Sequence, residues 1–107
     1  YGTSAQAALQ KAGLWDGLQK KLVFGETIAQ TFQYASTSAV DAGFCALSAT
    51  VSDAGKKGCF YAITDARDIV QSACLLKKTK NRAAAEKFAV FLNSPEAQKI
   101  KAKFGYR

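Results

Sequence analysis

Helix-start signals and short apolar runs alternate along this chain of 107 residues, and that alternation limits the folds open to it. The longest unbroken apolar stretches, such as residues 88–92, are a handful of residues long. A membrane-spanning helix needs about 20. Segments with a 3.6-residue apolar period and capping residues predict helices, and β-compatible runs between polar turns predict strands. Helices interspersed with nearly continuous apolar strands point to an α/β architecture rather than a sandwich or a bundle.

Residues 4–12 place Ala5, Ala8, Leu9 and Ala12 on one stripe. Thr3 with Gln6 forms a T-x-x-Q capping box, and Gly13 supplies the stop. Leu14 and Trp15 turn the chain toward a short strand at 21–24. Thr27 and Gln30 repeat the box ahead of a helix whose face is Ile28, Phe32 and Ala35, ended by Ser36-Thr37-Ser38. Residues 41–47, 59–63 and 70–76 read as three further strands, with Asp65-Ala66-Arg67-Asp68 a polar connection between the last two. Asn81 caps a helix bearing Ala84, Phe88, Phe91 and Leu92. Ser94-Pro95-Glu96 is an N-cap, an N1 proline and a first-turn acid ahead of a last helix with Ala97, Ile100 and Phe104, closed by Gly105.

Histidine is absent, which excludes Ser-His-Asp and Cys-His catalysis and any His-ligated metal. Cys45, Cys59 and Cys74 have neither CxxC spacing nor polar settings; they read as free thiols packed as small buried hydrophobes, without a metal or a disulfide framework. The Asp residues show no spacing of a metal cluster or a glycosidase pair, so the chain is read as a non-enzyme without a cofactor. The net charge is +7, and from residue 77 onward Lys and Arg outnumber Glu nine to two. Lys99 and Lys103 stand four apart on the last helix, with Lys101 on a neighbouring angle. With Arg scarce and no base-stacking ladder, these residues read as a solvated helix face; a nucleic-acid-binding module is the alternative. Helix starts are the more informative anion sites. The Thr27 box leaves the amide of Ile28 pointing outward, and the start at Thr3 does the same for the amides of Tyr1 and Gly2.

The series Tyr1-Gly2, Gly13-Leu14-Trp15-Asp16, Lys21-Leu22-Val23, Gly25-Glu26 and Ala29-Gln30-Thr31 is specific in combination. Asp41-Ala42-Gly43-Phe44, Ala46-Leu47-Ser48, Leu75-Leu76-Lys77, Phe91-Leu92 and Phe104-Gly105-Tyr106 continue it. Together these words resemble the C-terminal part of the periplasmic molybdate-binding proteins of ABC transporters. The resemblance implies a partial type II periplasmic binding-protein fold: an α/β lobe core at residues 1–80, then a helix pair at 81–107 that packs on a first lobe. It implies a tetrahedral oxyanion, molybdate or tungstate, held by uncharged donors. Carried over position by position, the second-lobe donors are the amides of Tyr1 and Ile28, while Ala46 stands where some members place a tyrosine hydroxyl.

The first lobe, its Ser ligands and the opening strands of the second lobe have no counterpart in these residues. The resemblance also implies a membrane permease as partner and a periplasmic location, lipid-anchored in the full-length form. Starting at Tyr1 without a leader, the chain reads as a processed form or a piece of a longer one. Two expectations follow: weak or silent anion binding by these residues alone, and self-association through the apolar helix pair, by dimerisation or exchange of elements. A self-associating fragment without ligand activity is the remaining alternative.

Overall fold

The computed structural model describes residues 1–64 and 66–106; Asp65 of the expected polar connection and Arg107 lie outside the described residues. Among the described residues six α-helices follow in order: α1 (Gly2–Lys11), α2 (Trp15–Leu18), α3 (Ile28–Ser36), α4 (Leu47–Thr50), α5 (Arg82–Phe91) and α6 (Pro95–Lys103). Two 3-10 turns, Gln19–Lys21 and Gly55–Lys57, follow α2 and α4. The chain divides into two compact units, Tyr1–Ile69 and Val70–Arg107. No described helix is long and apolar enough to cross a membrane.

Helix ends form where the capping chemistry puts them. α1 closes on Gly13, whose φ is +68°, with Leu14 N–H donating to Leu9 O at 2.9 Å and Gly13 N–H to Gln10 O at 3.0 Å. α6 closes the same way on Gly105, and α3 on Ser38, a non-glycine residue at φ +59°. Such a left-handed residue satisfies carbonyls that the last helical turn would leave unpaired. At the N-terminal ends, Thr27 and Ser94 cap α3 and α6 through their hydroxyls, with Pro95 at N1 of α6. Asn81 occupies the N-cap of α5, but its side chain makes no capping bond.

The expected capping box at Thr3 does not form. α1 starts one residue earlier, with Tyr1 at its N-cap, so Thr3 lies inside the first turn, too late to cap it. The chain after Leu14 turns into α2 rather than into a strand, and Lys21 ends a 3-10 turn.

The four expected strands are likewise absent: the described residues contain helices, turns and irregular segments and no strand, and Leu47 opens α4 instead of closing a strand. The α/β architecture is therefore not seen among them. The physical reason is that a strand, unlike a helix, satisfies its backbone only against a neighbour. The runs at 21–24, 41–47, 59–63 and 70–76 have the composition of strands, but none makes a ladder with another.

Without a sheet there is little core. Ala97 and Thr50 are the buried residues among those described. The accessible surface is 9140 Å², where a folded monomer of 11.4 kDa has about 5,800 Å². Cys45 is half-buried, while Cys59 and Cys74 are exposed, which corrects the reading of all three as buried; all three are free. Cys59 and Cys74 sit in the runs that find no partner strand, so nothing covers them.

Candidate functional site

α3 is the best-organised helix start in the first unit. Thr27 is extended (φ −135°, ψ 157°), and its Oγ1 accepts from the amide of Gln30 at 3.1 Å. The Gln30 side chain reaches back, and its Oε1 accepts from the Glu26 amide at 2.7 Å. The box is thus one residue wider than the sequence implies, closing on Glu26 instead of on Thr27.

Thr31 anchors this turn from beneath. Its hydroxyl lies 2.8 Å from Ile28 O and 2.9 Å from Phe44 O, and donates its single proton to these two carbonyls. Two glycines let the backbone come this close. A Cβ on Gly25 would stand 2.8 Å from Thr31 Cγ2, and one on Gly43 would stand 3.1 Å from both Thr31 O and Ala35 Cβ. Ile28, Phe32 and Ala35 are half-buried, as their shared face predicts. Sequence reasoning found the cap but missed Thr31; the two flanking glycines, Gly25 and Gly43, were the available signal.

This geometry leaves the amides of Ile28 and Ala29 without an acceptor among the described residues, at the positive end of the helix. The first turn of α3 carries no acidic residue, and Glu26, just ahead of the cap, is exposed. The start of α6 differs chemically: Pro95 removes the N1 donor and Glu96 adds a negative charge. Among the three helices of nine or more residues whose start lacks an N-terminal chain end, α3 alone joins a side-chain cap to a free N1 amide without an acid.

Tyr1 stands at the N-cap of α1 in the same unit, exposed, its carbonyl accepting from Ala5 N–H at 2.9 Å. No hydrogen bond among the described residues joins its helix start to that of α3. Neither Tyr1 nor Ile28 lines either of two open clefts. The first, about 280 Å³, is lined by Ala8, Lys11, Tyr61, Ile63 and Thr64. The second, about 320 Å³, lies in the second unit against Leu92, Lys101 and Tyr106. Ala46 precedes α4 and offers no side-chain hydroxyl. No group of three or more Cys, Asp or Glu that could hold a metal occurs among the described residues.

Of the basic residues, Lys101 is engaged: its Nζ donates to Leu92 O at 2.6 Å, placing a cation at the C-terminal end of α5. Arg82 pairs with Glu86 at 2.8 Å. Lys99 and Lys103 are exposed. The Cys45 thiol is pushed above its ordinary pKa by burial.

Comparison with known proteins places this sequence in a class of binding proteins. The whole chain, residues 1–107, matches the family described as bacterial extracellular solute-binding protein, and the chain belongs to that family. It is 36% identical over 106 residues to the molybdate-binding protein ModA of Rhodobacter capsulatus, covering 99% of this chain and 42% of that protein. It is 34% identical to the molybdate-binding protein ModA of Azotobacter vinelandii, covering 99% of this chain and 43% of the relative. A putative ABC transporter substrate-binding lipoprotein of Bacillus subtilis, YvgL, is 31% identical over 98% of the chain and 41% of its own length. The chain thus spans about two fifths of the length of these relatives. No solved structure matches it significantly.

Proposed function

We propose that this chain is the second-lobe portion of the substrate-binding component of a molybdate or tungstate ABC importer. In this reading it works outside the cytoplasm, binds its oxyanion without a cofactor or catalysis, and presents it to a membrane permease. The observation that carries the reading is the identity of 36% and 34% to two molybdate-binding proteins over 99% of the chain. The α3 start supports it physically. A tetrahedral oxyanion held by uncharged groups needs several N–H or O–H donors, and backbone amides at a helix start supply them together with a favourable dipole. Ile28 provides one such amide, and Tyr1, once joined to a preceding residue in the whole protein, the other. In the whole protein the runs at 41–47, 59–63 and 70–76 gain ladder partners and form the sheet of the α/β lobe.

The two donors set a magnitude. A hydrogen bond to a charged group contributes roughly 1.5–3 kcal/mol, and association costs at least about 4 kcal/mol of lost freedom. Two amides alone therefore hold an oxyanion no better than about tens of millimolar. The test joins the unmatched first part of the Rhodobacter capsulatus relative to this chain and compares molybdate affinity of the chimera with its Ile28→Pro variant. Proline suits N1 after an extended Thr27, so the substitution removes the donor and keeps the helix. A loss of about 10- to 100-fold is expected, with Ile28→Val near the parent value. A folded Ile28→Pro chimera that binds molybdate as tightly as its parent refutes the assignment.

A further inference from the structure

Hydroxyl groups bonded to nearby carbonyls are ordinary in this chain. Ser36, Thr37, Thr50 and Ser52 each donate to a carbonyl three or four residues back. Such bonds are local and belong to the helix or turn that makes them. Thr31 differs. Its hydroxyl bonds Ile28 O at 2.8 Å in the same local way, and it also reaches Phe44 O at 2.9 Å, 13 residues further along.

The two carbonyls matter because of what shares their peptide planes. A peptide unit is planar, so holding a carbonyl oxygen also orients the N–H of the following residue. The Ile28 carbonyl lies in the plane that carries the Ala29 N–H. That amide has no acceptor among the described residues, and Ala29 is exposed. The Phe44 carbonyl lies in the plane that carries the Cys45 N–H. One half-buried hydroxyl thus ties the plane of a free amide at the start of α3 to the plane between Phe44 and Cys45. Gly43 makes room for the tie, since a Cβ there would stand 3.1 Å from Thr31 O.

We propose that Thr31 is a positioning residue for the bound oxyanion, holding the Ala29 N–H as a donor beside that of Ile28. This role rests on the oxyanion-binding reading, whose ligand is taken from the relatives rather than from the helix end. Thr31 does not itself touch the anion, because its proton goes to the two carbonyls. An anion that accepts from Ala29 N–H polarises the shared peptide and makes Ile28 O a stronger acceptor. The hydroxyl carries that change on to Phe44. Residues 41–47 therefore support the site without supplying a donor to it.

A molybdate titration of the 107-residue chain, followed by amide chemical shifts, tests the proposal. Ile28 and Ala29 should move together, and Cys45, distant in sequence, should follow with the same midpoint. Thr31→Val keeps the shape and removes the hydroxyl. Ala29 should then need about three- to tenfold more molybdate, the worth of one neutral hydrogen bond, and Cys45 should no longer move. Thr31→Ser restores a hydroxyl and should titrate like the parent. A merely structural Thr31 would change stability without making Cys45 follow the anion. The Gln30 amide, held by the Thr27 cap, reports whether α3 survives in each variant. Where Thr31→Val loses the helix, the parent titration decides alone. Movement of Ile28 with Ala29 and Cys45 fixed overturns the role of Thr31 and leaves the oxyanion reading standing. So does a folded Thr31→Val chain that titrates like its parent. An Ile28 resonance that stays fixed overturns both.

Discussion

The first turn of α3 and helix α6 are both built from good capping chemistry, yet they are held in different ways. Around α3, Thr27, Gln30 and Thr31 tie the helix start to Glu26 and Phe44, and glycines 25 and 43 admit the close approach. On α6, Ser94 and Gly105 define the ends equally well, but Ile100 and Phe104 stay about half exposed. Caps decide where a helix starts and stops; they do not decide what its apolar face lies against. The α3 start is organised by neighbours within its own unit, whereas α6 is capped at both ends and incomplete in its packing.

Substitutions sharpen this contrast. Gly25→Ala forces a Cβ against Thr31 Cγ2 and its amide and should cost about 1–3 kcal/mol, read as a lower urea midpoint. Thr27→Ala removes the hydroxyl that Gln30 N–H uses and should cost about 1 kcal/mol. Ser38→Gly should act in the opposite sense, raising stability by about 0.5–1 kcal/mol, since glycine adopts a positive φ without a Cβ penalty. By contrast Phe88→Ser, at 59% exposure, should change the stability of the chain by less than about 0.5 kcal/mol. A large loss from Phe88→Ser would mean that α5 is packed after all and would break the comparison. The thiols give a further reading: Cys59 and Cys74 should react with a maleimide before Cys45, whose raised pKa leaves less thiolate at neutral pH.

The same contrast explains what could be read from the sequence. The ends of α3 and α6 were legible because Thr27-x-x-Gln30 and Ser94-Pro95-Glu96 act within four residues of where they stand. Gly13 and Gly105 were legible because a left-handed position favours glycine. Residues 41–47 and 70–76, expected as strands, form none among the described residues, because apolar composition says that a segment suits a sheet without supplying the neighbour it pairs with. Thr3 was misread because the same T-x-x-Q words occur whether or not the helix has already begun at Gly2. At the candidate site, Ile28 was found from its cap, while Thr31 was missed because Phe44 O, its distant partner, is 13 residues away in the chain.

Amide chemical shifts during a molybdate titration of this chain test the α3 start as an anion site most directly. Movement of the Ile28 and Ala29 resonances, half complete at about tens of millimolar or above, is the expected result. At the start of α6, where Pro95 has no N–H and Glu96 repels anions, Glu96 and Ala97 should move much less. Resonances of Ile28 and Ala29 that stay fixed, or that move no more than those of Glu96 and Ala97, would contradict it.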